Sequence, residues 1–251
     1  MTISKKKKDY ILVSLLFETK NSYDTNLDTL LALIEKTQYN SCIVAPEVCL
    51  TGFDYDNLSA AQDFTPKALK SLKEVSQNKI IILTMIEKVA HKTFNMLKVI
   101  HNGKVVYSRA KEKLFKFAAE EKYFTPATDA DFEIVEIDGI KIAVLICFEL
   151  RFKDMWKKCE GADVIATPSW WGVARSEHFV SFTKTLAIMN QCYVVASDSL
   201  NAECSKMSSI INPQGKALYN GNKACLEVQY NEKEIAIMRR YMDVGLGKDI
   251  G

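Results

Sequence analysis

The twelve residues from Lys141 to Phe152 read KIAVLICFELRF. Ile142 to Ile146 are apolar throughout and suit a strand buried on both faces, whereas Glu149 and Arg151 bring in two charges directly afterwards. Cys147 therefore marks the end of a buried strand. In open α/β architectures ligands bind in the crevice outside the carboxyl ends of the strands, so a thiol at this point faces a ligand rather than the core. A cysteine taken alone is more often a small buried hydrophobe, and the rest of the chain has to decide between the two.

Working outward, the same pattern recurs. Tyr10 to Phe17 (YILVSLLF), Ser41 to Pro46 (SCIVAP) and Lys79 to Ile86 (KIIILTMI) read as buried strands, and the second of these delivers Glu47 at its carboxyl end, ahead of an aromatic-lined loop through Gly52. Leu27, Leu30, Leu31 and Ile34 recur at helical spacing behind Asp24 and Thr25, and Thr65-Pro66 reads as a helix start ahead of Leu69, Leu72 and Val75. Asn102-Gly103 and Asp138-Gly139 each sit between two runs of β-formers and predict type I′ hairpins, which bring antiparallel pairing into the sheet. Between the hairpins, Arg109 to Pro126 has neither a clean helical nor a clean strand period and reads as a charged connection.

Beyond Cys147 the pattern predicts a short helix at Met155 and Trp156, a strand over Asp163 to Thr167 and an aromatic loop from Pro168 to Gly172. A helix follows over Glu177 to Asn190, with Phe179, Phe182, Leu186 and Met189 on one face, and then a strand over Cys192 to Ala196. Short strands are expected over Met207 to Asn212, Lys216 to Tyr219 and Ala224 to Tyr230, and a helix from Glu232. With no repeat, linker or low-complexity tract, residues 1–251 are expected to form a single α/β domain.

The 251 residues are 48% hydrophobic and 25% charged, and 33 basic against 31 acidic residues leave a formal charge of +2. So even a balance supplies no general field for nucleic acid. Lys5 to Lys8 read as a solvated run. No apolar run reaches the length of a membrane span or of a signal-peptide core, so no membrane association and a cytoplasmic location are expected. Seven cysteines without CxxC spacing, and three histidines without a close partner, make neither a disulfide framework nor a zinc site.

Three separated segments, APEVCLTGF around Glu47, RAKEKLF around Lys111 and CFELRF at Cys147, together resemble the nitrilase, or carbon–nitrogen hydrolase, superfamily. NPQG at Asn212 and MNQCYVVAS at Met189 extend the likeness over nearly the whole chain. It is closest to the Nit-type, ω-amidase-like branch, whose cysteine motif reads C-Y-D-x-R-F; Phe148 and Glu149 take the second and third places here. The resemblance implies a four-layer αββα sandwich with mixed sheets. It implies a catalytic triad of Glu47, Lys111 and Cys147, with Lys113 at a variable place. A second glutamate is implied at Glu120, with Glu121 as the alternative. No metal or organic cofactor is implied. The substrate would be a small-molecule amide, and the subunits would pair into a homodimer or a higher homo-oligomer.

The chemistry of these residue types agrees. A thiol with a pKa of about 8.5 needs a base to become a thiolate at neutral pH, and no histidine lies beside these motifs, which leaves Glu47. A fixed ammonium at Lys111 and the N–H of Phe148 suit the charge that builds when a thiolate attacks an amide or nitrile. Arg151 suits a substrate carboxylate or a structural salt bridge; Trp170 and Trp171 suit a pocket wall or a packing contact; His178 reads as structural. The expectation is hydrolysis of a small non-peptide amide to carboxylate and ammonia through a Cys147 thioester. An N-carbamoyl amine hydrolase, acyl transfer to an amine, and a non-catalytic binding protein of the same fold are the alternatives.

Overall fold

Strands whose every position is apolar need cover on both faces, and here helices supply one cover and a second sheet the other. In the computed structural model, which describes residues 9–128, 131–219 and 224–246, the first part of the chain forms β1 (Ile11–Leu15), α1 (Tyr23–Lys36), β2 (Ser41–Val44), α2 (Leu58–Glu74), β3 (Lys79–Val89), β4 (Lys92–His101) and β5 (Lys104–Ala110). The second part forms β6 (Val135–Ile137), β7 (Ile140–Val144), α3 (Lys153–Lys158), β8 (Val164–Ser169), α4 (Ser176–Asn190), β9 (Tyr193–Asp198), β10 (Ser209–Ile211), β11 (Ala217–Tyr219), β12 (Cys225–Gln229) and α5 (Glu232–Tyr241).

The strands make two six-stranded sheets, ordered β12-β1-β2-β3-β4-β5 and β11-β10-β9-β8-β7-β6. Each has a parallel centre, β1-β2-β3 or β7-β8-β9, flanked by antiparallel strands. Val13, Leu15, Ile43, Ile81 and Leu83 bury one face of the first sheet against Leu27, Leu30 and Ile34 of α1 and Ala68 and Leu72 of α2. Leu12, Val44, Ile80, Ile82 and Leu97 share a core with the second sheet, which α4 covers with Phe179, Leu186 and Ala187. Each of the valine, leucine, isoleucine and phenylalanine side chains among them contributes about 1.5–3 kcal/mol when it leaves water. Two hydroxyls cross between the sheets: Ser14 Oγ donates to the Ala196 carbonyl and Ser197 Oγ to that of Leu15, both at 2.7 Å. The result is the αββα sandwich that the resemblance implies.

Both predicted hairpins form with two-residue turns, and Asn102, Gly103, Asp138 and Gly139 all take the positive φ that a type I′ turn demands. A third hairpin, between β3 and β4, turns at Ala90 with φ 53°, where neither glycine nor asparagine announces it. Three helix readings are corrected. The cap of α1 is Ser22, whose hydroxyl accepts from Thr25 N, rather than Asp24 or Thr25. Pro66 lies inside α2, because the helix-favouring residues around Ala60 and Ala61 start it at Leu58 and the Thr65 hydroxyl bonds the Ile86 carbonyl of β3 at 2.7 Å. Met189 is exposed: the buried stripe of α4 is Phe179, Thr183, Leu186, Ala187 and Asn190, from which Met189 is turned by about a quarter of the helix circumference. Lys5 to Lys8 lie outside the described residues. Among the described residues no helix is long and apolar enough to cross a membrane.

Candidate active site

Three strand ends converge. Glu47 follows β2, and its N–H meets the Ser169 carbonyl at the end of β8, 3.3 Å away. The next residue, Val48, holds φ 42°, a strained value for a β-branched residue, and Thr84 Oγ1 secures the turn by accepting its N–H at 2.7 Å. Lys111 follows β5; its N–H donates to the Asn95 carbonyl of β4 at 2.8 Å. Cys147 follows β7 and opens a single 3₁₀ turn, Cys147–Arg151, also with φ 42°. That sharp turn lifts the thiol out of the sheet.

The side chains meet in a buried cluster. Lys111 Nζ bonds Glu47 Oε1 at 2.7 Å and Glu120 Oε1 at 2.8 Å, and all three residues are at most 3% exposed. Asn95 Nδ2 donates to the same Glu47 oxygen at 2.8 Å, and the Phe115 N–H donates to Glu120 Oε2 at 3.0 Å. Glu121 is exposed, and Lys113 pairs instead with Glu112 and Asp154 at 2.8 Å each. Burial alone would discharge Lys111, but the two carboxylates outweigh it and raise its pKa. Glu47 is raised by its own burial against the pull of Lys111, and the thiol of Cys147 is the proton-bearing group turned toward it. Burial and the Glu47 charge push the Cys147 thiol well above its ordinary value, while Lys111 and the Trp170 N–H pull it down. Moving the thiol proton to Glu47 leaves the net charge of the cluster unchanged, so this transfer is the cheap route to a thiolate.

Glu149 anchors the cluster from behind. Its carboxylate, fully buried, accepts Arg109 Nη1 and Nη2 at 2.9 and 2.6 Å, the Glu112 N–H at 2.6 Å and the Ile146 N–H at 2.8 Å. These bonds tie the residue after Lys111 to the residue before Cys147.

At the thiol opens a cleft of ≈ 20 Å³, room for about one water. Phe115, Phe148, Trp170 and Trp171 wall it, and Arg151 and Arg175 reach into it. The two guanidiniums rest on aromatic rings, Arg151 at 4.9 Å from the Trp171 centroid and Arg175 at 5.3 Å from that of Phe115. Arg151 Nη2 also meets His178 Nδ1 at 3.1 Å, so His178 serves the pocket indirectly. Neither arginine is within salt-bridge distance of a carboxylate among the described residues, and burial together with the Arg175 charge lowers the pKa of Arg151. Gly172 has an ordinary φ and leaves room for a guanidinium: a Cβ there would stand 2.8 Å from Arg175 Nη2 and would shift that head group. A much roomier groove of ≈ 720 Å³ runs beside Thr65, Lys73 and Glu87 and touches none of these groups.

All eight residues singled out from the sequence therefore come together at one place. Sequence reasoning missed Asn95, Arg109, Phe115 and Arg175. Asn95 had a signal, a lone amide inside a run of β-formers; Arg175 had none, being one more charge at a helix start.

Fold and site together define a class: an αββα sandwich with a buried Glu–Lys–Glu cluster beside a cysteine at its strand ends. A model of the carbon–nitrogen hydrolase family matches residues 17–236, and the chain belongs to that family. The 2-oxoglutaramate amidase of Bacillus subtilis (strain 168) is 27% identical over 202 residues, 76% of this chain and 77% of the relative. The omega-amidase YafV of Escherichia coli (strain K12) is 26% identical over 208 residues, 80% of each chain. In fold, the chain is similar to XC1258 from Xanthomonas campestris, a CN-hydrolase superfamily protein, with a TM-score of 0.83 at 19% identity over 94% of this chain and 96% of that one.

Proposed function

We propose that this protein hydrolyses the terminal amide of a small substrate that also carries a carboxylate, releasing ammonia through a thioester on Cys147. The observation that carries the reading is the buried Glu47–Lys111–Glu120 cluster at the thiol, opening into a cleft with two guanidiniums that have no carboxylate of their own among the described residues. The named amidase relatives support it, since 2-oxoglutaramate is itself an amide with a carboxylate.

In this mechanism Glu47 takes the proton of Cys147 as sulfur attacks the amide carbon. The oxyanion is met by the Lys111 ammonium and the N–H of Phe148. Glu47 returns the proton to nitrogen, the C–N bond breaks and ammonia leaves. Water then gives a proton to Glu47 and adds to the thioester, and the second tetrahedral intermediate expels the thiolate, which recovers its proton. Glu120, with both oxygens already engaged, keeps Lys111 charged and aimed. Arg151 and Arg175 take the carboxylate by charge-assisted hydrogen bonds, and Trp170 and Trp171 bound the pocket.

The test is ammonia release from ω-amides of dicarboxylic acids, neutral aliphatic amides, carbamoyl amines and nitriles, with Cys147→Ala beside the wild type. Release from the ω-amides by the wild type alone supports the reading; silence across the panel, or equal release by the variant, overturns it. We further propose a cytoplasmic, single-domain protein that pairs with a second copy. Ile188 and Met189 of α4, Ile237 and Tyr241 of α5 and Met242 directly after it are exposed apolar groups, and Gln191 Nε2 joins the two helix ends by donating to the Met242 carbonyl at 2.5 Å. Size-exclusion chromatography showing only monomer would remove that pairing.

A further inference from the structure

Asp198 closes β9, is fully buried, and has no part in the chemistry above. Its Oδ1 accepts the Trp171 N–H at 2.7 Å; its Oδ2 accepts Ser205 Oγ at 2.6 Å and the Lys206 N–H at 2.9 Å. Burial pushes this carboxyl up to about 6 against those donors, so it is ionised at neutral pH inside a ring of hydrogen-bond donors.

What hangs from it is Trp171. The carbonyl of Trp171 accepts the Ser205 N–H at 2.7 Å, and its indole N–H donates to the Arg175 carbonyl at 2.7 Å. Its ring carries the Arg151 guanidinium. One tryptophan thus places the main chain of one pocket arginine and the head group of the other. Its own main chain is fixed at the N–H by Asp198 and at the carbonyl by Ser205, which Asp198 also holds.

We propose that Asp198 is a positioning residue for substrate recognition: by fixing Trp171 it sets the places of Arg151 and Arg175, and with them the preference for an amide that carries a carboxylate. The inference rests on the reading of the two arginines as the anion site. A carboxylate suits the position because it accepts from several donors at once, whereas an amide of the same shape offers a single acceptor oxygen and two N–H groups that would confront donors.

The experiment compares succinamic acid with butanamide, which has the same chain length and no charge, in wild type, Asp198→Asn, Arg151→Gln and Arg175→Gln. Asp198→Asn is expected to raise KM for succinamic acid about tenfold and to lower the acid-to-neutral ratio of kcat/KM by about the same factor, with kcat changed less than about twofold. A wild-type ratio in Asp198→Asn beside collapsed ratios in the arginine variants overturns the inference and spares the anion site. Unchanged ratios in the arginine variants overturn the anion site and the inference with it. An equal fall in kcat on both amides with KM unmoved assigns Asp198 a purely structural role and also overturns it. Should Asp198→Asn not fold, Ser205→Ala removes one donor and keeps the carboxylate; a KM raised about threefold for succinamic acid supports the inference, and a wild-type value overturns it.

Discussion

Arg109 and Glu149 form a two-pronged ion pair, 2.9 and 2.6 Å, at 1% and 0% side-chain exposure, between the strand that leads into Lys111 and the turn that begins at Cys147. Burial works against both charges, but their mutual attraction prevails and holds Glu149 below its ordinary value. The remaining lone pairs of Glu149 accept two backbone N–H groups, so the pair leaves little unsatisfied beyond Arg109 Nε. The distance between nucleophile and ammonium is thereby built into the frame.

Glu149→Gln should therefore destabilise the protein by about 3–5 kcal/mol, because it strands a buried guanidinium. Denaturant unfolding of the two proteins measures this directly. Since Glu149 is depressed in the folded state, its contribution is full above its unfolded value and fades as the pH falls through the folded one. The gap between wild type and variant should shrink on acidification, and a gap that widens would refute the assignment.

The pH profile of kcat/KM tests Glu47. A general base works deprotonated, and burial raises Glu47 above its ordinary 4.5, so the acid limb of activity should have its midpoint above 4.5. A midpoint at or below that value would mean that another group accepts the proton.

Alkylation tests the thiol. Cys147 is held well above its ordinary pKa, so it does not rest as a thiolate and depends on Glu47 to ionise. Cys42, Cys49, Cys159, Cys192 and Cys204 are buried and Cys225 is half-buried. Iodoacetamide followed by peptide mass mapping should modify Cys147 ahead of the other five buried cysteines. Glu47→Gln should slow that modification about a hundredfold or more while leaving Cys225 at its wild-type rate. Equal slowing at both cysteines would point to a change in the fold instead.

Arg175 tests the anion site. Replacing it with glutamine removes a charge-assisted bond of about 1.5–3 kcal/mol, which is a rise in KM of about ten- to a hundredfold for a carboxylate-bearing amide. Steady-state kinetics against a neutral amide should show a much smaller change.

Much of this molecule was legible from local pattern. The buried strands, the two type I′ hairpins and the placement of Glu47 and Cys147 at strand ends follow from side-chain periodicity and turn chemistry, which act over a few residues. The likeness to one family named Lys111 as well, and narrowed the second glutamate to Glu120 or Glu121. Local pattern erred where tertiary contact outvoted it: at Pro66, which a helix already under way absorbed, and at Met189, whose spacing matched a stripe that the sheet does not cover.

The sequence by itself determined which segments are strands and which residue types end them, because a strand's burial is written in its own residues. Only the tertiary structure decided that Glu120 rather than Glu121 reaches Lys111, that Asn95 shares the Glu47 oxygen, and that Arg175, 28 residues beyond Cys147 in the chain, faces the same cleft. Those relations join side chains from different strand ends across two sheets, and their energies depend on distance and burial. Neither quantity exists until the two sheets have packed.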